Sequence, residues 1–326
     1  MRDYVSRLGY AQGRYVAIKE CCPSEGCVRD TDSPNVKFDS DKIRENAIQK
    51  IVKESQALAR VQAPGVVISH DFFLDNNTVY CVMRWLDGES LGQIMDKIRC
   101  GTYARVCPEK VRSWLVYILH ALKEVHRANI VHRDIKPENI VFDSKDDGNP
   151  VLVDLGSAAI VDSWEEPIPP GGYTPAFAPP EQRLGYGKVG VWTDFYSLAA
   201  TFYELVTNIR VTAFQGEILP EPDPQYADDR LAASLLRNLK WEYSERCKNV
   251  DEWLKMLHAP VEQTVAAVKY ENPLQLTKAD PIDAFLNAVG GVLGGAADAV
   301  GSAVGGAADA VGGAWGQVCK WISGGR

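Results

Sequence analysis

Two short stretches concentrate groups able to handle a phosphate and a metal ion: His132-Arg133-Asp134-Ile135-Lys136-Pro137-Glu138-Asn139, and Asp154-Leu155-Gly156. Moving a phosphoryl group requires a divalent cation held by hard oxygen ligands, a carboxylate beside the accepting hydroxyl, and positive charge against the phosphates. The two stretches offer carboxylates at Asp134 and Asp154, a side-chain amide at Asn139 and an ammonium at Lys136. Another lysine, Lys19, closes the apolar run Tyr15-Val16-Ala17-Ile18. Each piece alone occurs by chance in many chains, whereas their ordered combination does not.

In that order and spacing, with Ala178-Pro179-Pro180-Glu181 further on, the chain resembles the eukaryotic-type serine/threonine protein kinase family. The resemblance implies a role for each matching residue, with ATP and Mg2+ as cofactors. Asp134 would orient the acceptor hydroxyl and accept its proton, and Asn139 and Asp154 would be the metal ligands. Lys136 would neutralise charge on the γ-phosphate and marks a serine/threonine acceptor, so the implied partners are proteins presenting those hydroxyls. In Val16-Ala17-Ile18-Lys19, the lysine would grip the α- and β-phosphates, kept in register by a helix glutamate. Glu54 fits that place, ahead of an apolar stretch and a Pro64-Gly65 stop, and Glu45 is the alternative. The run from Tyr80 to Leu91 resembles the family's strand and hinge, with Met83 as gatekeeper and the backbone of Arg84, Trp85 and Leu86 against adenine. Asp194 would tie down the catalytic loop, Arg246 would pair with Glu181, and Thr174 would touch Asp134. His132 and Arg133 are expected to support the loop instead of doing chemistry.

Elements able to position these groups are legible from periodicity. Residues 15–19 are β-branched and apolar and read as a strand, followed by a loop marked by Pro23, Gly26, Asp30, Asp32 and Pro34. Over residues 41–61, Ile43, Ala47, Ile48, Ile51, Val52, Ala57 and Leu58 recur mostly at three- and four-residue spacings, which predicts a helix with one buried face. Two strand-like runs, 66–73 and 78–85, flank the turn residues Asp75-Asn76-Asn77. Helices are expected over 110–127, 195–205 and 231–239, and residues 168–190, rich in Pro and Gly, interrupt them as a functional loop. The fold class expected is α+β and two-lobed: residues 1–86 form a small antiparallel sheet with one helix, and 87–258 a larger, mainly helical lobe.

A chain of 326 residues, 46% hydrophobic, is long enough for such a domain, and disorder throughout is excluded. A formal net charge of −8 argues against nucleic acid as a partner, because binding phosphates needs a basic surface. The charged start, with Arg2, Asp3, Arg7 and Arg14, reads as neither leader nor anchor, which points to the cytoplasm. Eight cysteines spread along the chain read as reduced thiols, and Cys21, Cys22 and Cys27 lack the spacing of a zinc site.

Two features depart from the family pattern. No GxGxxG precedes Lys19, and Gly13 lies too close to it for a further strand to intervene, so the first strand and phosphate lid are expected to be absent. That loss motivates a rival reading, a pseudokinase scaffold that gathers partners. Beyond a linker, 259–280, a Gly/Ala-rich tail, 281–326, nearly repeats GGAADAVGSAV as GGAADAVGGAW at an eleven-residue period. Glycine disfavours an isolated helix, so residues 281–321 are expected either to stay a disordered linker or to order through self-association or at a membrane surface. Ser163 is the hydroxyl whose phosphate would pair with Arg133.

Overall fold

The computed structural model describes residues 4–11, 14–22, 26–29, 33–144, 147–161, 172–184, 188–214 and 219–257. They fall into two compact units, one drawn from within Met1–Ala59 and Ile68–Trp85, the other from within Arg60–Val67 and Leu86–Lys269. The linker, the repeat tail and Ser163 lie outside the described residues.

In the first unit, strands β1 (Tyr4–Ala11), β2 (Arg14–Cys21), β5 (Ser69–Asp75) and β6 (Thr78–Arg84) form an antiparallel sheet in the order β1-β2-β6-β5. Arg14 opens the strand that carries Lys19, so among the described residues no other strand separates Gly13 from it. Side chains alternate across a strand, and Val16 and Ile18 of β2 pack on Tyr80 and Val82 of β6 to make one core cluster. Helix α1 (Asp41–Arg60) buries Ala47, Ile48, Ile51, Ala57 and Leu58. Glu54 falls in the same stripe, where a charged residue requires a partner. Asn76 and Asn77, both at positive φ, link β5 to β6 in the manner of a type I′ turn.

The segment read as a loop after Lys19 instead contains a hairpin, β3 (Cys27–Arg29) paired with β4 (Val36–Phe38). It is too short to show a period, and tertiary bonds hold it: the Val36 amide donates to Asn76 O at 2.9 Å, and Asn77 Nδ2 donates to Val36 O at 2.9 Å. The run expected to begin a strand at Val66 pairs as a sheet strand from Ser69, while Val66 makes an isolated parallel bridge to Leu152. Before it, Gly65 stops the chain with φ +79°, where a Cβ would come within 2.8 Å of Ala121.

The second unit is mainly helical. Helix α2 (Leu91–Arg99) begins at a capping box between Ser90 and Gln93, and α3 (Pro108–Arg127) buries Val111, Leu115, Ile118, Leu122 and Val125 along one face. Strand β7 (Ile130–Val131) pairs with β10 (Ala159–Ile160), and β8 (Ile140–Asp143) with β9 (Asn149–Leu152). A short helix α4 (Pro180–Arg183) precedes α5 (Val191–Thr207), which is buried on nearly every side, followed by α6 (Asp229–Asn238) and α7 (Val250–Leu257). The architecture is α+β, as the sequence pattern predicts.

Candidate active site

The segment between β7 and β8 must present polar groups while its own backbone stays satisfied. Asp194, in the first turn of α5 and fully buried, provides for it: Oδ2 accepts from the His132 amide at 2.9 Å, and Oδ1 from the Arg133 amide at 2.8 Å. The imidazole of His126, at the end of α3, meets Oδ2 at 2.8 Å. Arg133 sits at φ +68°, and among the described non-glycine residues with positive φ it alone is neither Asn nor Asp. Such a conformation costs on the order of 1–3 kcal/mol and persists only where surroundings enforce it, here through the Asp194 carboxylate. Its guanidinium donates to Ser157 O at 2.6 Å, and Gln182 Nε2 donates to Arg133 O at 3.0 Å. Burial pushes this guanidinium's pKa down, with Asp194 pulling the other way.

Held by that frame, the polar side chains converge. Thr174 Oγ1 donates to Asp134 Oδ1 at 2.7 Å, Lys136 Nζ donates to Asp134 Oδ2 at 2.6 Å, and the same ammonium donates to Thr174 Oγ1 at 2.9 Å. The result is a closed triangle of carboxylate, ammonium and hydroxyl. Asn139, in the turn Pro137–Asn139, donates Nδ2 to Asp134 O at 2.9 Å, which leaves its carbonyl oxygen as the group suited to a cation. The Val153 amide donates to Asn139 O at 2.9 Å, tying that turn to the residue just before Asp154. Asp154 adopts a left-handed backbone, φ 65° and ψ 75°, and its Oδ1 accepts from the Gly156 amide at 3.2 Å. Two hard oxygen donors, the Asp154 carboxylate and the Asn139 carbonyl, suit Mg2+.

Further along, Glu181 meets Arg246 through a two-pronged ion pair at 2.7 and 3.0 Å, with side-chain exposures of 4% and 0%. The expected pairing is present.

The first unit holds its own cluster. Lys19 Nζ donates to both carboxylate oxygens of Glu54, at 2.7 and 2.8 Å, with both side chains buried. Glu45 is exposed, so burial decides between the two glutamates. Met83, Arg84 and Trp85 are half-buried at the end of β6 and beyond it, and Leu86, in the second unit, is buried. The Arg84 amide already donates to Ile68 O at 2.9 Å.

Sequence reasoning passed over His126 and Gln182, which brace the segment between β7 and β8, and Glu20, which is buried beside Lys19 and accepts from Tyr80 Oη at 2.7 Å and from Arg29. No motif marks them; an acidic residue inside an apolar strand is the one signal available. Among the described residues no group of three or more His, Cys, Asp or Glu side chains could hold a metal, and no helix is long and apolar enough to cross a membrane.

Residues 30–256 match the protein kinase domain family, a stretch that begins after Lys19. The chain is 29% identical over 215 residues to the serine/threonine-protein kinase PknA of Nostoc, covering 62% of this chain and 36% of that protein. It is 30% identical over 208 residues to the human serine/threonine-protein kinase Nek5, covering 63% of this chain and 28% of that protein. The chain thus spans about a third or less of the length of these relatives. A solved structure titled PpkA-294 apo form shares the fold with a TM-score of 0.59 and 24% identity, covering 75% of this chain and 87% of that one. With well over half its length matched, this chain belongs to the protein kinase domain family.

Proposed function

We propose that the chain is a serine/threonine protein kinase that transfers the γ-phosphate of ATP to protein hydroxyls. The observation that carries this reading is the Asp134–Lys136–Thr174 triangle. Each carboxylate oxygen has more than one lone pair, so Asp134 can accept an acceptor hydroxyl while bonded to Lys136 and Thr174. As the hydroxyl oxygen bonds to the γ-phosphorus, its proton passes to the Asp134 carboxylate and the bond to the bridging oxygen of ADP breaks. Lys136 then neutralises charge on the transferring group, and Thr174 keeps Asp134 and Lys136 in register. Asp154 and Asn139 would hold Mg2+, which when bound draws charge from the phosphate oxygens. Lys19, steadied by Glu54, would take the α- and β-phosphates, and the backbone from Arg84 to Leu86, apart from the Arg84 N–H, would meet adenine.

From the dispersed cysteines we infer a reducing compartment, the cytoplasm, and for residues 281–321 either a disordered linker or a segment for self-association or membrane contact, on sequence pattern alone. The test is magnesium-dependent transfer of labelled phosphate to a generic serine/threonine substrate by wild type, Asp134→Asn and Asp154→Asn. Transfer by wild type and its loss in both variants supports the reading; no transfer by folded wild type overturns it.

A further inference from the structure

Cys22 follows the last residue of β2 and Cys27 begins β3, with Pro23, Ser24, Glu25 and Gly26 between them in sequence. Their sulfurs lie 2.9 Å apart, close to the roughly 2.05 Å of a disulfide bond. The junction is already held: Arg29 pairs with Glu20 of β2, Tyr80 Oη donates to that carboxylate, and the Cys21 thiol donates to Ala47 O at 3.5 Å. Cys22 and Cys27 are both half-buried, whereas Cys21, Cys81 and Cys247 are buried. From this placement we infer that Cys22 and Cys27 form a dithiol site that small disulfides of the glutathione class oxidise to an intramolecular disulfide, joining β3 covalently to the end of the Lys19 strand.

The order of attack follows from the environment of the two thiols. Burial chiefly, and then the hydrogen bond to and the charge of Cys22, push the Cys27 thiol up to about 12, which disfavours Cys27 as the attacking group and assigns that part to Cys22. Its thiolate attacks one sulfur of glutathione disulfide; the S–S bond breaks, one glutathione thiolate leaves, and Cys22 becomes a mixed disulfide. With Cys22 capped, its charge and acceptor sulfur no longer oppose ionisation of Cys27. Cys27 releases its proton to water and attacks Cys22 Sγ, expelling the second glutathione. In balance, two protein thiols lose two electrons and two protons, and glutathione disulfide becomes two glutathiones.

The full chain is incubated folded with glutathione disulfide and mapped by mass without reduction. The expected product is a Glu20–Arg29 tryptic peptide lighter by two hydrogens and restored by dithiothreitol, while exposed Cys100 and Cys107 serve as the comparison sites that gain glutathione. Cys21→Ser should keep the two-hydrogen loss. Cys22→Ser and Cys27→Ser should abolish it, with Cys27→Ser retaining glutathione on Cys22. A wild-type peptide that ends as a stable glutathione adduct, or a loss that survives in Cys22→Ser, overturns the assignment. Fragmentation of the wild-type peptide, which places the bond between Cys22 and Cys27 or at Cys21, decides the matter even if a variant misfolds.

Discussion

Arg246→Met tests whether the Glu181 ion pair holds the second unit together. The guanidinium is fully buried and donates to both Glu181 oxygens, to Lys240 O at 2.9 Å, to Trp192 O at 3.2 Å and to Trp241 O at 3.0 Å. Methionine keeps much of the apolar stem but loses the guanidinium that lies over the Tyr196 ring, and it leaves the Glu181 carboxylate with the Thr193 hydroxyl at 3.1 Å as its donor among the described residues. Removing one partner of a buried pair costs about 3–5 kcal/mol, because the other charge stays in the interior. Taking about 4 kcal/mol, and about 2–4 °C per kcal/mol for a domain of this size, the melting temperature should fall by roughly 8–16 °C. Urea unfolding followed by tryptophan fluorescence reads this directly, since Trp192 and Trp241 border the pair. Arg246→Met combined with Glu181→Leu removes the stranded charge and should be no less stable than Arg246→Met alone, giving a large coupling energy in the double-mutant cycle. A loss below about 1 kcal/mol in Arg246→Met, or additive losses in the double variant, would refute the reasoning.

Three other outcomes follow from the geometry. Thr174→Val deletes a donor to a charged acceptor, worth about 1.5–3 kcal/mol, so turnover should fall roughly 10- to 100-fold while Thr174→Ser stays near wild type; equal rates for Val and wild type would exclude the triangle from function. Glu54→Gln removes the charge partner of buried Lys19 and should weaken ATP binding and lower stability by about 3 kcal/mol, measured by nucleotide titration and thermal unfolding; neither change would mean the pair is incidental. Burial pushes the Asp71 carboxyl from 3.8 up to about 6, so the folded state holds an extra proton between those values and stability declines as pH rises through 6. Asp71→Asn should therefore match wild type near pH 4 and exceed it by about 1–3 kcal/mol above pH 7, and no gain at the higher pH would contradict the assignment.

Elements with a long period or a turn of distinctive chemistry were legible in the sequence. Helices α1 and α3 show their buried stripes in the residue spacing, and Asn76-Asn77 announces its hairpin. Helix α5 is legible only in part because it is buried nearly all round, which erases the amphipathic signal and hides its first turn, where Asp194 sits. Strands β3, β4 and β7 to β10 are too short for any period, and their pairing depends on neighbours distant in sequence. In the proposed site, one motif between β7 and β8 marks Asp134, Lys136 and Asn139, and a second after β9 marks Asp154. The props do not advertise themselves: Gln182 and His126 matter through where α4 and α3 end, a fact of tertiary packing.

The Asn76-Asn77 turn also bears on the order in which the first unit assembles. Its two strands are neighbours in sequence, so β5 and β6 can close as a hairpin within about 1–10 μs, before distant segments meet. Strand β2 pairs with β6 only across a long intervening chain, Lys19 opposite Cys81, and loop closure delays that contact. The lysine thus docks late, onto a template already formed. Mutations at the asparagine turn should slow folding, whereas those at Lys19 and Glu54 should chiefly hasten unfolding.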